Sequence, residues 1–149
     1  MSNKIALHNA CLQMVNEQLN VLKADLESLK ESRNNQTKSS VGDKHETARA
    51  MMQLEEEKLS QQLLANQQLL QKLNSVPTEL GNSNIAFGNL VVTDNGSFYL
   101  SAGIGKIVVD GKSCYAISMG APMAQAMLGL KVHNAFTFNG REFTIESVA

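Results

Sequence analysis

The chain has 149 residues, of which 43% are hydrophobic and 18% charged, and its formal net charge is −1. This composition suits one or two small folded domains and excludes a wholly disordered chain, and the near-neutral charge gives no electrostatic case for direct nucleic-acid binding. No apolar run approaches the roughly 18 residues of a membrane span, and Met1 to Ile5 precede no apolar signal segment, so we expect a cytoplasmic protein without membrane contact.

A heptad-like apolar pattern predicts a long first helix. The residues on this pattern are Ile5, His8, Leu12, Val15, Leu19, Leu22, Leu26 and Leu29. Their alternating spacing of three and four is typical of a coiled-coil seam, in which we expect His8 to pack against a neighbour. From Glu31 to Ser40 the sequence is polar and rich in Asn and Ser, so we expect the helix to fray or turn there.

A second, weaker seam follows and predicts a second helix. Its residues are Ala48, Met52, Leu59, Leu63, Leu70 and Leu73. Glu55, Glu56 and Asn66 interrupt it, and Pro77 ends it because proline cannot continue a helix.

The two predicted helices suggest an antiparallel coiled-coil hairpin over residues 1–76, joined across Asn34 to Gly42. About 30 residues at ~1.5 Å each give arms of roughly 45 Å. An intramolecular hairpin predicts a monomer. A linker is predicted at 77–84.

The stretch from Val41 to Glu46 lies where the predicted hairpin reverses, and it places Asp43 and Glu46 three residues apart. Asp43 can be the N-cap of the second helix with Glu46 at its N3 position. The same two carboxylates at a hairpin tip are also suited to insertion into the active site of another molecule. A cap and a presented carboxylate pair are compatible. We expect Lys44 and His45 to be solvated.

Residues 85–149 have a β-rich pattern and predict a small antiparallel α+β domain. The predicted strands are Ile85 to Val92, Ser97 to Ser101, Lys106 to Val109, Ser113 to Ser118, Ala135 to Phe138 and Arg141 to Val148. Asp110-Gly111 and Asn139-Gly140 are strong hairpin signals between apolar runs. Pro122 and Gly129 suit the start and end of one short helix packed on the sheet.

The two cysteines and one glycine-containing stretch predict neither a metal or redox site nor a nucleotide-binding site. Cys11 and Cys114 are far apart in sequence without metal-ligand or redox spacing, so we expect buried or half-buried thiols. The stretch from Gly105 to Ser113 superficially matches a phosphate-binding P-loop, but five residues instead of four intervene and Asp110-Gly111 lies between two predicted strands.

The whole pattern resembles the bacterial Gre transcript-cleavage factors. A coiled-coil hairpin with a Gly-Asp-x-x-Glu tip precedes a small β-rich domain. The stretch Ile117 to Val132 is similar to the family's "I-S-x-x-S-P-L-G-R-A-L-L-G-K-x-V", and Phe87 to Val91 is similar to its "F-G-x-x-V". The resemblance implies an FKBP-like second domain that docks on RNA polymerase, while the coil enters the secondary channel of that enzyme.

The resemblance also implies an accessory role in RNA cleavage. Asp43 and Glu46 fall on the family's two tip acids, which help hold a second Mg²⁺ inside polymerase and orient the attacking water, while polymerase holds the first Mg²⁺ itself. The protein would need no cofactor of its own. Its partner would be bacterial RNA polymerase, with the nascent RNA 3′ end contacted only through that complex.

Four residues in the Ile117 to Val132 stretch are the expected polymerase-docking positions: Ser118, Pro122, Gln125 and Gly129.

Two other functions remain open from the sequence. The family continues after the Glu with "N-A-E-Y", whereas Thr47-Ala48-Arg49-Ala50 follow here, so a third acid and a tyrosine are absent. This difference favours a regulator that binds the channel without stimulating cleavage. A coiled-coil scaffold or peptide-binding module is the third possibility, for which dimerisation through the Leu12 to Leu29 seam would be evidence.

Overall fold

The computed structural model describes the backbone of residues 2–38, 42–77 and 84–149, and side chains within 4–34, 46–77 and 84–149. The elements are α1 (Ser2–Lys38), α2 (Gly42–Asn74), β1 (Leu90–Thr93), β2 (Gly96–Leu100), β3 (Gly105–Val109), β4 (Lys112–Ile117), α3 (Pro122–Met127), β5 (Ala135–Phe138) and β6 (Arg141–Val148). The α+β class is confirmed. No helix in the described ranges is long and apolar enough to cross a membrane.

The chain divides into two compact units. The first, the helical unit, is Met14–Gln68. The second, the sheet unit, combines Met1–Gln13 with Leu69–Ala149, so it contains the beginning of α1 and the end of α2 as well as every strand.

The helical unit is an antiparallel pair, as predicted. Arg33 of α1 forms an ion pair with Glu56 of α2, while Leu22 lies beside Asn66 in a shared groove. Residue numbers therefore rise along α1 as they fall along the facing part of α2. Leu19, Leu22 and Leu59 are buried. Burial of each such leucine stabilises the fold by about 1.5–3 kcal/mol.

The first helix is longer than its composition predicts. The polar composition predicts fraying or a turn from Glu31 to Ser40, but α1 continues to Lys38 and α2 begins at Gly42. The Arg33–Glu56 pair extends the contact between the helices into this polar segment, and residues 2–38 contain neither Gly nor Pro. This segment therefore has a contact with α2 and lacks a helix-breaking residue, and both favour its helical conformation. Val41 and most of the predicted linker, residues 78–83, lie outside the described residues.

The sheet has the strand order β3-β4-β2-β1-β6-β5. Four neighbouring pairs are antiparallel, as predicted, but β2 and β4 are parallel because the β3–β4 hairpin follows β2 and returns beside it. Both predicted two-residue hairpins are confirmed. Asp110 and Asn139 have φ values of 52° and 51°, and a glycine follows each, as a type I′ turn requires.

The first strand is shorter than predicted, because residues 85–89 form a turn instead. Asn89 is 1% exposed, and its Oδ1 accepts the Ala86 N–H at 2.8 Å while its Nδ2 donates to the Ala149 carbonyl at 3.0 Å. These side-chain bonds satisfy backbone groups that a continued strand would have paired with another strand.

One face of the sheet carries the main hydrophobic core. Its buried members are Ile85, Val91, Phe98, Leu100, Ala124, Met127, Phe143 and Ile145. Phe136 stacks on Phe143 at 5.1 Å between ring centroids. The α3 helix covers this face and begins at Pro122, as predicted, and Gly129 follows it with φ of 83°.

The first three turns of α1 pack on the opposite face of the sheet. His8 contacts Tyr99 of β2, and the Lys4 ammonium donates to the Ala149 carbonyl at 3.2 Å. This contact changes the seam, because Leu7 and Cys11 are buried whereas Ile5, predicted on the seam, is 66% exposed. The residues of α1 that pack against the sheet are therefore not the ones that the heptad pattern predicts for packing against another helix.

Candidate functional site

The candidate site is the end of the helical unit where α1 stops and α2 starts. From Met14 to Lys38, α1 extends for about 37 Å at ~1.5 Å per residue. The helices are joined through residues 39–41 alone, so this end brings the C-terminal turn of α1 and the first turns of α2 into one region of the chain.

The two predicted site acids belong to the beginning of α2. The helical backbone starts at Gly42, so positions 43 and 46 are three apart within one helix, a spacing that puts two residues on the same side. Glu46 is exposed and, among the described residues, has neither a hydrogen-bond nor an ion-pair partner. The side chains of Asp43, Lys44 and His45 lie outside the described part of the chain.

The position at a helix start favours negative charge. Unpaired backbone N–H groups and the aligned peptide dipoles place partial positive charge there. A helix start is therefore a favourable place for carboxylates, whose oxygens are ligands of a hard cation such as Mg²⁺. The exposed Glu46 carboxylate fits such a role. Among the described residues, no three His, Cys, Asp or Glu side chains are grouped as a metal site.

A polar groove lies beside this end of the helical unit and was missed by the sequence interpretation. Its volume is about 630 Å³. Arg33 of α1 and Glu56 of α2 form an ion pair on its wall, and Arg49, Gln53 and Ser60 follow on α2. The sequence does contain an indication of this ion pair, because Arg33 continues the three-four spacing of Leu26 and Leu29. Arg33 therefore lies on the seam of α1, where it faces Glu56 of α2.

Arg49 is a positively charged residue in the lining of this groove. It is exposed and lies three residues after Glu46, at the position where the Gre factors that this sequence resembles have another acid. A guanidinium in this position is always protonated and presents five donors to oxygen acceptors. The groove lining therefore combines two arginines, Arg33 and Arg49, with two glutamates, Glu56 and Glu57, and Arg49 is the positive charge nearest in sequence to the candidate acids.

The four predicted docking residues lie close together in sequence around α3. Pro122 is the first residue of that helix and is exposed. Gln125 is also exposed, and its amide donates to the Met119 carbonyl at 2.6 Å. Gly129 is exposed, and its backbone N–H donates to the Ile85 carbonyl at 3.0 Å. Ser118 is half-buried after β4. Three of the four are therefore accessible.

The cysteines and His8 belong to the packing of the sheet unit. Both cysteines are free and buried, as predicted. Burial raises the pKa of the Cys11 thiol to about 11 and that of Cys114 to about 12. Both thiols are thus protonated at neutral pH and unsuited to nucleophilic chemistry. His8 packs against Tyr99, as expected for a structural histidine.

No protein-family model and no curated protein matches the chain. Among solved structures, the chain is similar to one described as the structure of the transcription factor Gfh1, with 17% identity, 93% of each chain covered and a TM-score of 0.40. At this level of similarity, the residues of that protein identify no functional residue in this chain.

Proposed function

We propose that this protein is a transcription factor that inserts its helical hairpin into the secondary channel of bacterial RNA polymerase and stimulates cleavage of backtracked RNA. The observation that carries the proposal is the location of Asp43 and Glu46, three residues apart at the start of α2 and at the connected end of a long antiparallel hairpin. The similarity of Ile117 to Val132 to the docking stretch of the Gre factors supports the same partner.

The chain's own residues have three roles in this mechanism. The paired helices supply reach, since a hairpin about 37 Å long is narrow enough to enter a channel that a globular domain cannot. Asp43 and Glu46 would supply carboxylate oxygens at the polymerase active site. The start of α2 places partial positive charge at these two positions, which favours carboxylates there. Mg²⁺ bound there would activate water and neutralise charge on the scissile phosphate.

The decisive experiment is RNA cleavage in a deliberately backtracked polymerase complex with Mg²⁺ present. We expect wild-type protein to stimulate cleavage and Asp43→Asn/Glu46→Gln to lower the rate by on the order of 100-fold, because electrostatic groups at reacting centres contribute this much. These substitutions preserve side-chain shape while removing charge. A matched control, Asp25→Asn/Glu55→Gln, removes two exposed charges elsewhere on the same helices.

Polymerase binding is measured on the same variants. The proposal requires that Asp43→Asn/Glu46→Gln still bind, so that loss of cleavage reports chemistry and not docking. Equal cleavage by the wild type and this variant would contradict the proposed role of the acids. Failure of the wild type to bind polymerase would reject the function altogether.

A channel-binding regulator that does not stimulate cleavage is the second candidate, and Arg49 is the observation that favours it. Its positive charge stands beside Glu46 and would compete for the carboxylate or repel a metal ion. Arg49→Glu distinguishes the two functions. Under the cleavage proposal the added acid increases the rate, whereas Lys58→Glu farther along α2 does not. Under the regulator proposal, both wild type and Asp43→Asn/Glu46→Gln alter transcription equally without cleavage.

A further inference from the structure

The sheet unit contains a cavity that the proposed function does not use. It has a volume of about 300 Å³ and lies between the start of α1 and the face of the sheet that α1 covers. Its apolar lining consists of Leu7, Leu90, Val92, Val109 and Cys114. Leu7, Leu90 and Cys114 are at most 9% exposed. The volume is at the lower end of the range for small-molecule sites and fits a metabolite of amino-acid size better than a nucleotide.

The strand register explains why these side chains form one floor. Val92 of β1 is paired with Ser97 of β2, and Val109 of β3 is paired with Lys112 of β4. The two side chains of a cross-strand pair project to the same side of the sheet. Cys114 is two residues after Lys112 on β4 and therefore shares that side. Because the Cys114 thiol is protonated, it acts as an apolar wall. The floor is built on paired strands and is thus preformed.

Polar groups of both charges stand at the edge of this apolar floor. Asp110 is the first residue of the β3–β4 turn, Lys112 directly follows that turn, and Ser97 also lines the cavity. Asp110 and Lys112 are exposed. Among the described residues, neither side chain has a hydrogen-bond or ion-pair partner, and the two do not pair with each other. The preformed apolar cavity therefore has a carboxylate, from Asp110, and an ammonium group, from Lys112, at its mouth. The first can bind a cationic group of a ligand and the second an anionic group.

We propose that this cavity binds a small zwitterion with an apolar side chain, of the chemical class of a free branched-chain or aromatic amino acid. The ligand's ammonium faces the Asp110 carboxylate, and its carboxylate faces the Lys112 ammonium and the Ser97 hydroxyl. Its side chain lies against Leu90, Val92 and Cys114. A residue within a peptide chain lacks both charges, so the mouth selects a free molecule over a peptide.

The test is a titration of the full-length, isotopically labelled protein followed by backbone amide chemical shifts. L-leucine and L-phenylalanine are the probes. Glycine carries both charges without a side chain, and 3-methylbutan-1-ol carries the apolar group without the charges. We expect saturable shifts at Val92, Lys112 and Cys114 with the two amino acids, and at least roughly threefold weaker binding of glycine and of the alcohol, as expected when one set of contacts is lost.

Three variants test the assignment. Asp110→Asn and Lys112→Gln should each weaken L-leucine binding by roughly three- to fivefold, the effect of one partly exposed charge pair. Asparagine tolerates the positive φ of position 110, so the turn is retained. Val109→Phe should fill the cavity and abolish binding. Lys106→Gln is the matched control, because that exposed residue precedes Ile107 on the opposite side of β3.

The outcomes are separable from those of the polymerase experiments, since none of these residues belongs to the helical unit. Absence of saturable shifts would overturn the proposal. Binding of the alcohol as tightly as leucine, or unchanged leucine affinity in both charge variants, would show a plain apolar cavity and also overturn the zwitterion assignment.

Discussion

His8 is the residue whose chemistry depends most on its tertiary contact. Its Nδ1 lies 2.7 Å from the Tyr99 hydroxyl oxygen, and the two rings meet edge to face at 6.0 Å between centroids. Burial lowers the pKa of His8, and the positive charge of Lys4 one turn earlier lowers it further. Burial also raises the pKa of Tyr99, so its hydroxyl stays protonated and can donate to a neutral imidazole. The folded protein therefore prefers neutral His8.

This preference predicts that stability falls in mild acid. An unfolded histidine takes up a proton near its ordinary pKa of ~6.5, whereas folded His8 takes it up at lower pH. The unfolded state thus binds more protons as pH drops below that value, and the free energy of unfolding decreases until folded His8 is protonated as well. We expect His8→Gln to reduce this pH dependence, measured by urea unfolding between neutral and mildly acidic pH with tyrosine fluorescence.

Both tyrosines lie in the sheet unit, so the fluorescence signal reports the unit that contains His8. His133→Asn is the matched control, because His133 is exposed and has a positive φ that asparagine accepts. The control should retain the wild-type slope. An unchanged slope in His8→Gln would show that other groups cause the acid sensitivity.

At the scale of elements, Asn66 is a polar residue that lowers the stability of the α1–α2 pair. It occupies a seam position beside Leu22, where neighbouring positions of α2 carry leucine. Its Nδ2 donates to the Gln62 carbonyl at 2.9 Å, but its Oδ1 is buried without a partner in the described part of the chain. A buried acceptor without a hydrogen bond costs about 1–3 kcal/mol. A polar seam residue of this kind lowers stability and can fix the register of the pair.

Replacement of this residue by leucine should stabilise the helices. We expect Asn66→Leu to increase the free energy of unfolding by about 1 kcal/mol, because the unpaired oxygen is removed and apolar contact with the seam is gained. Far-UV circular dichroism during urea unfolding measures the change. Asn16→Leu, at an exposed position of α1, should change stability by less than about 0.5 kcal/mol. Destabilisation by Asn66→Leu would indicate that water satisfies Oδ1.

At the scale of the whole molecule, the length of the helical unit is the property that the proposed function needs. Arg33 faces Glu56 and Leu22 faces Asn66, so the numbers of facing residues sum to nearly the same value in both pairs. Equal segments can therefore be removed from both helices without changing which seam residues meet. Residues 23–29 and 60–66 are such a matched pair of heptads.

Removal of both heptads should shorten the hairpin by about 10 Å while preserving its seam. We expect this variant to fold and bind polymerase but to lose stimulation of RNA cleavage, because Asp43 and Glu46 no longer reach the active site. The backtracked-complex assay and a separate binding assay measure the two properties. Cleavage at the wild-type rate would contradict a mechanism based on reach.

Much of the fold was determined by sequence patterns that act locally. The three-four spacing of apolar residues gave both helices, and the Asp110-Gly111 and Asn139-Gly140 turns gave two hairpins, because positive φ values at such positions are accessible to few residue types. Pro122 and Gly129 marked α3, because the fixed negative φ of proline suits the first position of a helix and the positive φ after the helix end favours glycine. The choice of Asp43 and Glu46 as candidate acids also rests on sequence, since their spacing and position need no tertiary information, and it stays a prediction.

Only the tertiary structure decided the features that depend on distant partners. The continuation of α1 to Lys38 accompanies the Arg33–Glu56 pair, the short β1 reflects the bonds of Asn89 to Ala86 and Ala149, and the parallel β2–β4 pair follows from the path of the chain. The burial of Leu7 in place of Ile5 and the cavity beside Cys114 arise where α1 meets the sheet. Local propensities are worth tenths of a kcal/mol to about 1 kcal/mol per residue, so burial and pairing between distant segments override them.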